Sequence, residues 1–237
     1  YDGQFWGTQQ NNGIPINING FMLGNHYNES RWLSGLLDDY AIWNIALTQE
    51  QIQDNMGNEL SGQEDGLISY WNFNQDSGNI LFDVSGNSND GTIYGATWST
   101  EGAPVESFIQ NEDGENYSVH FDFMSGYAVS NVSSESIFGD NYTFTVEAWY
   151  KNDGVNSGNN QGYDDGANIV SSYKRSGGGD PYNNFSLAMI PEGHGNPGTI
   201  SMSGGAVSTD RYDDGEWHHI VGIFDKISDN EARSVLY

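Results

Sequence analysis

Tyr142-Thr-Phe-Thr-Val-Glu-Ala-Trp149 decides the fold class. In an extended chain successive side chains point to opposite faces. Tyr142, Phe144, Val146 and Ala148 therefore share one face, and Thr143, Thr145 and Glu147 share the other. A mostly apolar face backed by a polar one is the pattern of a half-buried strand. Outward from this stretch the same period recurs. Leu67, Ser69, Trp71 and Phe73 alternate with Ile68, Tyr70 and Asn72, and Val119, Phe121 and Phe123 alternate with His120 and Asp122. Phe185, Leu187 and Met189 repeat it, as do Trp217, His219, Val221 and Ile223. So many alternating segments, separated by turns rich in Gly, Asn and Asp, predict an all-β chain of antiparallel sheets, arranged as a sandwich or jelly roll.

Two earlier strands are expected at 21–24 and 36–43. After them Thr48-Gln-Glu-Gln51 has the spacing of a capping box, in which a Thr side chain and a Gln three residues on satisfy each other's backbone N–H groups. This predicts one short helix near 48–56. The stretch 57–65 is a polar connector and the best linker in the chain. Residues 152–168 and 174–184, rich in Gly, Asn and Ser, read as long loops.

The 237 residues carry 33 Asp and Glu against 7 Lys and Arg, a formal charge of −26. Nucleic acids and anionic membranes are bound through clustered cations, so this balance excludes nucleic-acid partners. No stretch has the apolar length of a membrane span, and membrane insertion is not expected. The chain has no Cys, which removes disulfides, thiolate metal sites and cysteine nucleophiles. Excess carboxylate leaves two readings: a solvated acidic surface, or one in which some acids hold a hard divalent cation.

The two ends carry a further pattern. The chain stops at Arg233-Ser-Val-Leu-Tyr237 and starts at Tyr1-Asp-Gly-Gln-Phe5. Joined end to start, these read as one severed strand running into an Asp-Gly turn, preceded by the strand Trp217–Asp225. The expectation is a period of a tandem array cut out of frame, with Tyr237 and Tyr1 close together.

Five segments together resemble the laminin-G-like, concanavalin A-like jelly-roll family. Its opening is similar to Gly66-Leu-Ile-Ser-Tyr-Trp-Asn-Phe73 followed by Asp83-Val-Ser-Gly-Asn-Ser-Asn-Asp-Gly91. Its middle resembles Tyr142–Trp149 and Gly215-Glu-Trp-His-His-Ile-Val221, and its close resembles Gly35-Leu-Leu-Asp-Asp-Tyr-Ala-Ile-Trp-Asn44 leading into Ala46-Leu-Thr-Gln-Glu-Gln-Ile52. The closing motif here precedes the opening one. The resemblance thus implies that residues 1–60 end one repeat and residues 64–237 begin the next, and that the two pieces close as one circularly permuted jelly roll. Unpaired backbone in either half favours that closure.

The loop 83–91 is dense in oxygen donors and glycines. It reads either as a cation-wrapping loop or as an Asx-rich turn without an ion. The resemblance implies a structural calcium site held by Asp83 and Asn87 and completed by Asp39. Alternation would send Asp38 and Asp39 to opposite faces, so that one of them reaches the loop. The paired acids of Tyr163-Asp-Asp-Gly166 and Tyr212-Asp-Asp-Gly215 read as solvated turns.

No Glu-x-Asp-x-x-Glu strand motif, nucleophilic triad or phosphate-cradling loop is present, so no catalytic residue is expected. Adjacent His218 and His219 point to opposite faces and read as packing and hydrogen-bonding residues. The resemblance implies a recognition or adhesion module, extracellular or at the cell surface. Its partners would be glycans or matrix polymers together with neighbouring repeats, and Trp6, Tyr163 and Tyr182 are the rings that would face a sugar. A calcium-stiffened spacer repeat without a ligand of its own is the alternative.

Overall fold

Period-two alternation becomes paired strands in two antiparallel sheets. The computed structural model describes residues 7–11, 20–25, 31–106, 116–122, 126–130, 132, 143–153, 167–172, 185–190, 196–202, 206–228 and 231–237. Within them the order is β1 (Gly7–Asn11), β2 (Phe21–Leu23), β3 (Gly35–Trp43), α1 (Gln49–Gly57), β4 (Leu67–Trp71), β5 (Ile80–Leu81), β6 (Gly91–Tyr94) and β7 (Thr97–Ser99). There follow β8 (Ser118–Phe121), β9 (Tyr127–Ser130), β10 (Phe144–Asn152), β11 (Ala167–Ser172), β12 (Ser186–Met189), β13 (Ile200–Met202), β14 (Trp217–Ser228) and β15 (Glu231–Leu236). The chain is an all-β sandwich, with one short helix among the described residues.

The eight-stranded sheet runs β1-β15-β14-β10-β3-β8-β7, with β4 also paired to β3. The seven-stranded sheet runs β13-β12-β11-β2-β9-β6-β5. Strands from before residue 60 lie inside both sheets. β3 sits between β10 on one side and β8 and β4 on the other, while β2 sits between β11 and β9. The connector after α1 is packed rather than loose: Glu59 is buried, and its N–H donates to the Glu106 carbonyl. At Gly62, φ is +80° and a Cβ would meet the Val84 carbonyl at 2.3 Å, so only glycine lets the connector pass there.

β1 lies antiparallel beside β15, with Gly7 opposite Leu236, so the segment that follows the expected Asp-Gly turn is the next strand of a meander after β14 and β15. Pairing in this way occupies the outer N–H and C=O groups of β15. Tyr1 lies outside the described residues.

Between the sheets is the main core, including Tyr40, Ile42, Trp71, Phe121, Val146, Phe185 and Ile220. Tyr40 and Trp71 stack with centroids 5.1 Å apart. A second cluster covers the outer face of the eight-stranded sheet, where Ala41, Trp43, Tyr70, Val221 and Val235 pack with Ile52 of α1. The helix is set by its capping box: Thr48 Oγ1 accepts from Gln51 N–H, and Gln51 Oε1 accepts from Thr48 N–H. Its single buried residue, Ile52, contributes about 1.5–3 kcal/mol by leaving water.

Two bulges reset the faces that strict alternation assigns. β3 places two residues, Asp39 and Tyr40, between the partners of Trp149 and Glu147, where β10 has only Ala148. β4 inserts Ile68 between the partners of Trp43 and Ile42. Leu67 consequently joins the outer cluster while Trp71 and Phe73 join the main core, although simple alternation groups all three.

Candidate functional site

The β3 bulge builds the most unusual chemistry in the molecule, a layer of buried carboxylates on the outer face of the eight-stranded sheet. Asp38, Glu59 and Glu147 are respectively 0%, 3% and 2% exposed. Asp39 sits at the bulge with φ +48°, a left-handed conformation that non-glycine residues rarely hold. Its Oδ1 accepts from the Tyr70 hydroxyl, while its Oδ2 is buried without a hydrogen-bond partner. The Asp38 carboxylate accepts from the N–H groups of Ala103 at 2.8 Å and Asp39 at 2.9 Å. Glu147 Oε1 accepts from Trp43 Nε1 at 2.8 Å and Asn55 Nδ2 at 2.9 Å. His219 Nε2 lies 3.4 Å from Glu147 Oε2, an ion-pair separation without hydrogen-bond alignment.

Alternation would part Asp38 from Asp39, but the bulge keeps them in one electrostatic neighbourhood, and Glu59 acts on both. Burial pushes the Asp39 carboxyl up to about 7; the Tyr70 hydrogen bond opposes this, and Glu59 and Glu147 reinforce it. Burial, followed by the Asp39 charge, raises Asp38 well above the usual carboxylate range against its two N–H donors. Near neutral pH, proton uptake therefore relieves charge that burial would otherwise leave uncompensated.

The loop after β5 takes the form of an Asx-turn network. Asp83 Oδ1 accepts from Tyr70 N–H and Ser85 N–H, each at 3.0 Å, and its Oδ2 accepts from Asn89 N–H at 2.9 Å. Asn87 Nδ2 donates to the Ile68 carbonyl at 3.0 Å and to Ser85 Oγ at 3.3 Å. Tyr70 links this loop to the buried layer, its N–H on Asp83 and its hydroxyl on Asp39. Asp83 and Asn87 thus act on protein groups, whereas Asp39 keeps an unsatisfied oxygen. Among the described residues, no group of three or more His, Asp or Glu side chains is placed to hold a metal ion.

The opposite outer face has the reverse character. On the seven-stranded sheet β6 pairs with β9 so that Tyr94 falls across from Tyr127. Their rings stack with centroids 4.9 Å apart and planes 24° apart, and Trp32 lies 6.4 Å beyond Tyr127. Tyr94 is 48% exposed; on the adjoining β5 Ile80, opposite Thr92, is 44% exposed, and Phe82 just after β5 is 52% exposed. Three of the four exposed large hydrophobic residues among those described thus lie on or next to one hairpin. Exposed large apolar side chains grouped on one hairpin are a feature of binding surfaces.

A groove of about 500 Å³ lies at the β7 side of the eight-stranded sheet, lined in part by Thr97, Ser99, Glu101, His120 and Asp153. His120 Nε2 is 2.9 Å from Asp153 Oδ2, which also accepts from Ser34 Oγ at 3.1 Å. The carboxylate stands between serine and histidine, so the histidine cannot activate the hydroxyl as a triad requires. Glu101 is held by Lys151.

Of the rings expected to face a sugar, Trp6, Tyr163 and Tyr182 lie outside the described residues, as does the turn 163–166. The other acidic turn is structural: Tyr212 is core, Asp213 pairs with Arg211, and Asp214 accepts from His218 at 2.7 Å. His218 and His219 do face apart, one against Tyr212 and the other toward Glu147 and Trp149. The strip of Trp32, Tyr94 and Tyr127 was not identified by sequence reasoning; Thr92 and Tyr94 flanking Ile93 are the short alternation that signals it. Comparison of the chain with protein-family models, with curated proteins and with solved structures finds no match.

Proposed function

We propose that this chain is a non-catalytic recognition or adhesion module, acting outside the cell or at its surface, that binds carbohydrate on the outer face of its seven-stranded sheet. The observation that carries this reading is the group of Trp32, Tyr127 and Tyr94, in which Tyr94 is exposed and the other two rings are half-buried. Sugar rings have apolar C–H faces that lie on aromatic surfaces, while their hydroxyls bond to polar groups around them. The resemblance to laminin-G-like jelly rolls points the same way, with neighbouring repeats as further partners. The burial of Asp38, Glu59 and Glu147 supports a non-catalytic role, since an acid–base pair must reach its substrate.

A structural cation in this reading would draw on the unpartnered Asp39 Oδ2, with Asp83 carrying backbone N–H bonds on both oxygens and Asn87 bonded through its Nδ2. Calcium is the natural candidate for all-oxygen ligation, and at Asp39 it would offset buried negative charge. The same buried layer favours the second reading, a calcium-stiffened spacer repeat without a ligand.

The test is a glycan array probed with the wild-type chain and with Tyr94→Ala and Tyr127→Ala. Binding to a defined glycan class that both variants lose is expected. Silence across the array, together with a calcium-dependent rise in melting temperature, would replace recognition with the spacer reading. Saccharide hydrolysis abolished by a single carboxylate substitution would overturn the non-catalytic assignment.

A further inference from the structure

The groove beside β7 follows a strand edge. β7 ends the eight-stranded sheet and pairs with β8. Residues 97–100 all line the groove, although they face both ways. Trp98 pairs with Val119 and packs against the main core, while Thr97 and Ser99 pair with His120 and Ser118 on the outer face. A groove that touches both faces of one strand lies along its edge. Among the described residues no backbone group outside β8 bonds to β7, so its outer N–H and C=O groups are open to pairing. Leu36 and His120, paired across β3 and β8, carry the groove onto the outer face of the sheet.

The polar atoms left open there are acceptors. An ionised carboxylate can only accept, so the N–H of His120 lies on Nε2, 2.9 Å from Asp153 Oδ2, and Nδ1 of the neutral ring is an acceptor. Asp153 Oδ2 also accepts from Ser34, and Glu101 Oε1 accepts from Lys151. Among the described residues no group donates to Asp153 Oδ1 or Glu101 Oε2. Two carboxylates and one ammonium leave this corner one negative charge. A ligand group that only donates and carries one positive charge complements the set. Guanidinium does both, and its planar fork of five N–H donors can serve two carboxylates at once.

We propose that the groove binds an extended basic peptide, which adds as a strand at the β7 edge and directs an arginine side chain to Asp153 and Glu101. In strand addition the main chain supplies affinity and the side-chain pockets supply selectivity. The groove volume of about 500 Å³ exceeds one side chain and accommodates flanking residues. The partner is a different protein rather than a second copy. This chain has 7 Lys and Arg against 33 Asp and Glu, and its Lys151, Arg211 and Arg233 are held by acids. A basic segment is drawn by the field of a chain of formal charge −26, whereas a second copy is repelled. The aromatic group on the other sheet plays no part in this site, so the peptide and a glycan would bind independently.

The experiment passes three heptapeptide libraries over the immobilised chain. Their central residue is arginine, citrulline or glutamate, and their flanks are randomised among uncharged residues other than proline. Citrulline keeps the shape of arginine without its charge. The arginine library should be retained, and the citrulline library at least about tenfold less, because hydrogen bonds between charged groups are the stronger kind. Glu101→Gln and Asp153→Asn should each lower arginine retention severalfold. Glu50→Gln, which removes an exposed acid on α1, should leave it unchanged. N-methylation of the peptide backbone should abolish retention, and N-acetylarginine amide should not compete at concentrations where the peptides do. Equal retention of the arginine and citrulline libraries would overturn the role of the two carboxylates. An equal loss in Glu50→Gln would replace the groove with general attraction to an acidic surface. Retention that survives N-methylation, or full competition by N-acetylarginine amide, would overturn strand addition. No retention of the arginine library would overturn the proposal outright and leave the glycan reading untouched.

Discussion

The two outer faces of this sandwich hold each other's expected residues. On the eight-stranded sheet, carboxylates are sealed beneath α1 and the segment around Ala103. On the seven-stranded sheet, Tyr94, Ile80 and Phe82 stand in water. Acids normally stay at the surface, whereas large apolar side chains grouped in water are the exception. The contrast separates two kinds of departure. The covered face is tied into the fold by hydrogen bonds from Trp43, Asn55, Tyr70 and Ala103 to its acids, so disturbing it should cost stability. The open face makes few contacts, so disturbing it should cost only what it binds.

Trp43→Ala should produce the largest effect. Trp43 is 2% exposed and donates its indole N–H to Glu147 at 2.8 Å. Truncation opens a cavity and removes a donor from a buried carboxylate, an expected loss of about 3–5 kcal/mol. Urea denaturation of the variant reads this directly. A loss below about 1 kcal/mol would mean that the covered face is no more integral than the open one.

Next comes the titration of the same layer. Asp39 has an ordinary value of 3.8 and is raised to about 7 in the folded chain, so between these pH values the folded state holds the extra proton. The Asp39 contribution to stability is therefore full below about pH 4 and is lost as pH rises through 7, an amount on the order of a few kcal/mol. The raised Asp38 carboxyl acts in the same direction. Asp39→Asn mimics the protonated acid and suits the left-handed backbone, so it should flatten the fall and stabilise the chain at neutral pH. Added calcium should raise the neutral-pH melting temperature of the wild type and leave the variant unchanged. If both respond alike, no cation sits at Asp39.

Much of this architecture is legible in the residues, and the exceptions have local causes. The alternation of 142–149 anticipates β10, and Thr48 with Gln51 places α1 within a residue. The strands β5, β7 and β13 are only 2–3 residues long, too short to show a period. β11 is buried at all six positions, so it has no alternation, and its start at Ala167 falls inside the stretch expected to be a loop. The left-handed backbone at Asp39 has no signal in the residues, because a one-residue bulge is invisible to a rule with period two. The aromatic strip depends on a register between β6 and β9, whose paired residues lie 33 or more positions apart, and local pattern carries no such information. By contrast Asp83 and Asn87 do meet in one loop, with bonds that fit the Asx-turn alternative.

A smaller effect tests whether α1 is a lid that needs its own cap. Thr48→Ala removes one half of the capping box and should cost about 1 kcal/mol. Because Asn55 of α1 donates to Glu147, fraying at the helix start should leave that bond intact. Hydrogen exchange would then rise at Gln51 and not at Asn55. Exchange rising across the whole helix would instead tie the buried acids to the cap.

The smallest change in stability should come with the largest change in binding. Tyr94 is 48% exposed and rests on Tyr127, so Tyr94→Ala forfeits one half-exposed ring stack, about 0.5–1.5 kcal/mol. Neither the core nor the buried acids touch it, and the pH profile of stability should keep its wild-type shape. Glycan binding should nonetheless fall below detection, because the strip's most exposed ring is gone. Should the variant instead lose several kcal/mol and retain its ligand, Tyr94 would belong to the structural face and the contrast between the two sheets would fail.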